Sequence, residues 1–398
     1  MPDLREKIKS LAANYFNDVV EIRHHLHAHP ELSFEEHATS AFIASTLKTL
    51  NIPFKTGYVK TGIVALIKGK NPNKKIIALR ADMDALPITE ENKTSYVSKN
   101  RGVMHACGHD VHTSSLLGTA RILNELKNEF EGTIKLIFQP GEEKLPGGAS
   151  LMIQEGVLKD PSPTKIFGQH VFPTMEVGKV GFRSGMYMAS TDEIYVAVKG
   201  KGGHAAMPKT YVSPLLIAAE ILTVLQKEFM ETPQKDNIPT VLAFGRIIGN
   251  GITNVIPDEV KLEGTFRTMN ESWRMEAQRK MKKLAEDIAE KMGGSCEFII
   301  APGYPVLTND TATTSAAQLA AIEFLGNENV EELELRMTGE DFAFYTQHIP
   351  GCFYRLGTGN KLKGITSGVH TSTFDIDERA LETGMGLMAW LAISELKN

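Results

Sequence analysis

The sequence predicts an α/β protein with a smaller α+β domain inserted into it. Three observations lead there. The chain has 398 residues, beyond the roughly 250–300 at which single cores stop growing, so two domains are expected. Before residue 186 and after residue 303, short apolar runs of strand type alternate with segments of helical periodicity. Between them the order becomes strand–helix–strand–strand–helix–strand, the split βαβ arrangement of ferredoxin-like domains. The expected division is a main domain of 1–185 and 304–398, with 186–303 inserted.

Residues 4–26 carry Leu4, Ile8, Leu11, Tyr15, Val19, Ile22 and Leu26 at helical spacing. The helix ends at His29-Pro30, because proline disfavours helical backbone at the residue before it. His24, His25, His27 and His29 crowd this end. They form either a metal set or the cations that a helix C-terminus favours, and the second reading is preferred. A second helix is expected over 35–50. Strands over 62–67 and 75–80 are split by the turn signal Asn71-Pro72-Asn73. The second holds the apolar run Ile76-Ile77-Ala78-Leu79 and leads into RADMDALP at 80–87. Acidic residues just past the carboxyl end of an inner strand lie where open α/β sheets place their sites. Turn and cap duty is the alternative.

The segment MHACGHD at 104–110 sets Cys107 two residues from His109, with His105 and His112 close by. A thiolate with imidazoles is a donor set for zinc or a neighbouring first-row ion, although cysteine is also a common small buried hydrophobe. A helix is expected over 113–130. A strand over 132–138 delivers Gln139-Pro140-Gly141-Glu142-Glu143. Adjacent side chains point in different directions, so one carboxylate can ligate a metal while its neighbour faces a substrate. A strand over 165–168 delivers His170. Three successive strand ends thus each present a ligand-type residue.

In the inserted domain a strand over 194–198 leads to GKGGHAAMP at 200–208. Ser213-Pro214 then reads as an N-cap with proline at the first helical position, opening a helix to about 230. Strands over 240–248 and 259–268, a helix over 271–292 and a strand over 296–300 complete it. Beyond 304 come a helix over 311–325, a strand over 333–337, TGEDF at 338–342, a strand over 353–356, His370 and a last helix over 380–396.

A formal net charge of −5 leaves no electrostatic footprint for nucleic acid or an anionic membrane. Residues 1–10 are charged and lack the apolar core of a signal peptide. The longest apolar run, 215–225, is interrupted by Glu220 and is too short to span a bilayer. Cys107, Cys296 and Cys352 are widely spaced and give no disulfide framework. A reducing, cytoplasmic location is expected.

The strings RADMDALP, MHACGHD, GEE followed by GGA, GGHAAMP and TGEDF, in this order, resemble the M20 metallopeptidase clan. More narrowly they resemble its amidohydrolase branch of aminoacylases, hippurate hydrolases, plant auxin-conjugate hydrolases and N-acetyl-diaminopimelate deacetylases. The likeness runs over nearly the whole chain. It implies a mixed-sheet, zinc-peptidase-like catalytic domain, an inserted lid and dimerisation domain, and two divalent metal ions: zinc or manganese first, cobalt or nickel also admissible. Carried over by motif, the ligands would be Cys107, His109, Glu143, His170 and His370, with Cys107 bridging. Glu142 would be the general base. Asp84 and Asp110 would orient ligands, while His105 and His112 would support or pack. His204 would serve the transition state, and Asn254 and Arg267 would hold a substrate carboxylate. The implied reaction is hydrolysis of N-acyl amino acids by a homodimer or higher homo-oligomer. Lys209 and Ser213 depart from the usual His and Asp, and Thr371-Ser372-Thr373 departs from the usual Ser-Pro-Xaa after the last ligand. The alternatives are a dipeptidase or carboxypeptidase of the same clan and a non-catalytic metal-dependent binding protein. The presence of Glu142 argues against the last.

Overall fold

The computed structural model describes residues 4–231 and 237–397. The chain divides into two compact units. The first takes in the chain up to Gly185, Thr308–Glu334 and the residues from Asp341 on; the second is Met186–Leu307 with Leu335–Glu340. The sequence placed all of 304–398 in the main domain. Two sets of main-chain bonds account for the difference: Tyr304 O accepts from Thr191 N at 2.9 Å, while Arg336 O accepts from Ala189 N at 3.1 Å and Arg336 N donates to Tyr187 O at 3.0 Å, tying both stretches to the second unit.

The first unit holds an eight-stranded mixed sheet in the order Phe54–Tyr58, Gly62–Lys68, Thr133–Gln139, Ile76–Asp82, Lys165–Glu176, Gly351–Gly359, Val180–Phe182, Val330–Glu332. Thr133–Gln139, Ile76–Asp82, Lys165–Glu176 and Gly351–Gly359 are mutually parallel, so their carboxyl ends share one edge. Inner parallel strands are buried on both faces and lose side-chain alternation, and Thr133–Gln139 is buried at every position. Helices Leu4–Ala28, His109–Glu125, Thr311–Leu325 and Arg379–Lys397 join this core, with Ile8, Val19, Leu116, Ala321, Leu387 and Leu391 among its buried residues.

Two of the boundaries that moved bear on the site. The helix expected from 113 begins at His109. Its first turn holds His109, Asp110 and His112, all buried; polar residues facing inward are invisible to hydrophobic periodicity. The strand expected to stop at 168 runs on to Glu176 and so contains His170. The edge strands Phe54–Tyr58 and Val330–Glu332 were, respectively, not foreseen and expected a few residues later. Each is only partly buried and lacks the apolar run that marks an inner strand.

In the second unit a four-stranded antiparallel sheet has the order Thr240–Ile248, Glu259–Thr268, Asp192–Lys199, Ser295–Pro302. Helices Pro214–Gln226 and Glu271–Lys291 pack against it through Ile217, Ile221, Ala277 and Met281. Asp192–Lys199 alternates buried with more exposed residues, as a one-faced strand must. Ser213 precedes Pro214 at the helix start, but its side chain caps nothing.

Candidate metal centre

The centre is assembled at the shared carboxyl edge of the parallel strands, where open α/β sheets place their ligands. Ile76–Asp82 delivers Asp82 and, beyond it, Asp84; Thr133–Gln139 delivers Glu142 and Glu143; Lys165–Glu176 carries His170. The helix from His109 starts on this edge because Gly108 adopts φ +80°. A Cβ at Gly108 would lie 2.6 Å from Val171 Cγ2, so the glycine lets Cys107 and His109 come against the strand bearing His170. His370 lies on the loop after Gly351–Gly359, with φ +62°, and its N–H donates to Ala106 O at 2.7 Å.

Among the described residues, Cys107, His109 and His170 offer ligand atoms within 4.8 Å of one another, as do Cys107, Glu143 and His370, and His109, Glu142 and Glu143. Cys107 Sγ is 3.4 Å from His170 Nε2. His370 Nε2 is 3.2 Å from Glu143 Oε1. His109 Nε2 is 4.0 Å from both Glu142 Oε2 and Glu143 Oε1. His109 Nε2 is buried without a hydrogen-bond partner, and buried Glu143 Oε1 faces the His370 ring without a well-formed hydrogen bond. Such orphaned atoms are costly, and a cation satisfies both. A thiol, three imidazoles and a carboxylate form the mixed S, N and O set that suits zinc and its neighbours. The residues therefore fit the expected pair of ions.

Ring orientation is set from behind. His109 Nδ1 pairs with Asp84 Oδ1 at 3.1 Å, and Asp84 Oδ2 accepts from Ser33 Oγ at 2.6 Å and Glu143 N at 2.9 Å. His170 Nδ1 donates to Val171 O at 2.8 Å, which turns Nε2 toward Cys107. Outer partners of this kind fix the tautomer of a ligating histidine.

The carboxylates around the centre set its electrostatics. Burial, then Glu143 and Glu142, push the Cys107 thiol well above its ordinary value. Burial opposes charge on His109, but Asp82, Asp84 and Glu143 outweigh it and raise its pKa to about 10. Burial, aided by Arg355, holds His170 well below the usual histidine range and therefore neutral. Bound dications reverse this logic and deprotonate a coordinating thiol.

Asp110 lies elsewhere than expected. Its Oδ2 accepts from Arg23 Nε at 3.0 Å and from His27 Nδ1 at 2.8 Å, and no candidate ligand contacts it among the described residues. His112 has both ring nitrogens engaged: Nδ1 with Asp82 Oδ1 at 2.5 Å, and Nε2 accepting from Val171 N at 2.9 Å. Although His112 stands near Asp82 and His109, it has no lone pair left for an ion. His105 is buried, and burial lowers its pKa to about 4. Of the four histidines ending the first helix, His27 belongs to a buried ion pair.

Three supports were not foreseen. Arg80 donates to Asp82 Oδ2 at 2.6 Å, Gln139 Oε1 at 2.9 Å and Asp341 Oδ1 at 2.7 Å. Asp341 N in turn points at Glu142 Oε1 at 3.4 Å. Glu36 Oε1 accepts from Gly141 N at 2.9 Å and holds the turn before Glu142. The usable signal was the charged Arg80 inside an apolar strand, since a buried charge needs partners.

In the second unit, His204 and Val255 pair across strands Gly203–His204 and Val255–Ile256, and Ala205 N donates to Asn254 O at 3.0 Å. That brings His204 and Asn254 together. Arg267 is half-buried on Glu259–Thr268, and its Nη1 donates to Met337 O at 3.1 Å.

A family model for peptidase family M20/M25/M40 matches residues 78–394. The chain belongs to this family. An N-acetylcysteine deacetylase of Bacillus subtilis is 39% identical over 95% of this chain and 97% of its own. Thermostable carboxypeptidase 2 of Saccharolobus solfataricus is 36% identical over 98% of each. The crystal structure of the Bacillus subtilis YXEP protein, a dinuclear metal binding peptidase from the M20 family, superposes with a TM-score of 0.84 at 35% identity, covering 97% of this chain and 99% of that one. Among the described residues, no helix of this M20 protein is long and apolar enough to cross a membrane.

Proposed function

We propose that this M20 enzyme hydrolyses the amide bond of N-acyl amino acids, releasing a carboxylic acid and a free amino acid. The observation that carries this reading is the convergence of Cys107, His109, Glu143, His170 and His370, with Glu142 beside them. Likeness to a deacetylase of an N-acylated amino acid favours the same substrate class.

Cys107, His109, Glu143, His170 and His370 would hold two divalent ions, zinc or manganese in the first instance. When bound, such a pair lowers the pKa of a shared water and draws charge from the substrate oxygen. Glu142 is buried and backed by Asp341 N. It takes the proton from the attacking water and passes it to the leaving nitrogen, the work of a positioned general base. His204 donates to the developing oxyanion; one such donor is typically worth about 10²–10³ in turnover. Arg267 and Asn254 receive the free carboxylate of the substrate, for which a planar guanidinium is well matched. A cytoplasmic homodimer belongs to the same reading.

The test is a panel of N-acetyl, N-benzoyl and longer N-acyl amino acids alongside dipeptides. Each is assayed with enzyme stripped by chelator and reloaded with zinc, manganese, cobalt or nickel. Cleavage of acyl amino acids that disappears with the chelator is expected. Preferential cleavage of dipeptides would replace this reading with a carboxypeptidase or dipeptidase, and no cleavage with any ion would remove it.

A further inference from the structure

We propose that Arg23, on the first helix and outside the family-matched residues 78–394, is a positioning residue. It locks the two ligand-bearing segments of the metal centre to each other. The inference rests on the ligand assignment proposed above.

Arg23 is fully buried. Its Nε donates to Asp110 Oδ2 at 3.0 Å and its Nη2 donates to Asp375 Oδ1 at 2.7 Å. Asp110 directly follows His109 in the first turn of its helix; Asp375 sits on the loop that carries His370. One planar guanidinium thus bridges both segments, and a fork of fixed geometry is what sets such a spacing. Tyr96 completes the clamp. Its ring lies 4.8 Å from the guanidinium carbon and its hydroxyl donates to Asp375 Oδ2 at 2.8 Å.

The need for a clamp follows from how the ligands are held. His109 has Asp84 behind it and His170 has Val171 O. His370 has no such backing: among the described residues its ring pairs only with Glu143, and it is 53% exposed. It also adopts a left-handed backbone at φ +62°, which is unfavourable for a residue with a side chain. Its position is therefore inherited from its loop. That loop is tied down by His370 N to Ala106 O at 2.7 Å, just ahead of Cys107, by Glu91 N to Ser372 O at 2.9 Å, by Asn92 Nδ2 to Phe374 O at 2.9 Å, and by Arg23 to Asp375. Of these ties, only Arg23 also reaches the His109 helix.

The experiment compares wild type with Arg23→Met, Arg23→Lys and Asp375→Asn. Cobalt uptake is titrated by chelator competition, the thiolate-to-cobalt absorption of Cys107 is followed, and the melting temperature of the stripped protein is recorded. Wild type should take up two ions. Arg23→Met and Asp375→Asn should weaken one ion about 10–100-fold, the range for lost outer partners, while the other ion and the Cys107 band stay. Arg23→Lys, which reaches one carboxylate at a time, should fall between. Two ions bound with wild-type affinity in Arg23→Met overturns the inference. If that variant does not fold, the same result in Asp375→Asn overturns it, and so does equal weakening of both ions. Fewer than two ions in wild type would overturn the ligand assignment itself, and the inference with it.

Discussion

His109 Nδ1 stands 3.1 Å from Asp84 Oδ1, and this pairing decides which ring nitrogen faces the centre. Nε2 is left buried with no hydrogen-bond partner among the described residues, facing Asp82 Oδ2 at 3.7 Å and Glu142 and Glu143 at 4.0 Å. Asp84 does more than orient the ring. Its second oxygen accepts from Glu143 N, so one carboxylate fixes a proposed ligand from the helix and the turn that carries two more candidate site residues.

Asp84→Ala should therefore lower divalent-metal affinity by about 10–100-fold. Chelator competition on the purified variant measures it. Unchanged affinity would show that His109 is held by packing alone.

Glu142→Gln separates binding from chemistry. The amide keeps the shape and can still accept from Asp341 N, but it cannot take a proton. Metal content should stay at wild-type level while turnover falls at least 10²–10⁴-fold, the usual worth of a positioned general base. Near-native hydrolysis by this variant would refute the assignment of the base.

The strands that carry the centre were legible because each inner strand is an apolar run, as Ile76-Ile77-Ala78-Leu79 shows. Asp84, Glu142 and Glu143 stood out as candidates because they follow such runs. The backing groups were not, since Arg23, Ser33 and Glu36 reach the site only through the fold. Sequence spacing cannot show that Glu36 Oε1 meets Gly141 N, or that Asp110 turns away from the ligands toward Arg23. The starts and ends of elements failed where polar residues are buried, as at His109 and His170, because hydrophobic periodicity records burial only for apolar side chains.

Glu36 gives a pH prediction. Burial, then the nearby charge of Asp84, raises its pKa from 4.5 to about 7, against the hydrogen bonds it accepts. In the window from about 4.5 to about 7 the folded protein retains a proton that the unfolded chain has lost. Stability must then fall as pH rises through that window and level off above it. Glu36→Gln can keep the acceptor for Phe34 N and Gly141 N on Oε1, while its amide group faces the Thr61 hydroxyl. The variant should lose this slope. Urea midpoints at pH 5, 6 and 7.5 test it, and parallel profiles for the two proteins would count against a titrating Glu36.

Gly108 and Gly102 form a matched pair for the close approach of Cys107 to His170. Both have positive φ, +80° and +83°, but a Cβ at Gly102 meets nothing within 4 Å, whereas one at Gly108 meets Val171 Cγ2 at 2.6 Å. Val171 has little room to retreat, being 1% exposed with its N–H held by His112. Gly102→Ala should cost only the left-handed backbone, about 1–2 kcal/mol. Gly108→Ala should add an overpacking cost of about 1–3 kcal/mol and push the Cys107 segment from the His170 strand, so that metal is lost as well. Denaturant midpoints and metal content of the two variants distinguish the effects. Equal destabilisation with full metal content in both would mean that the helix bearing His109 can slide on its strand, and that the left-handed start at Gly108 serves the turn rather than the centre.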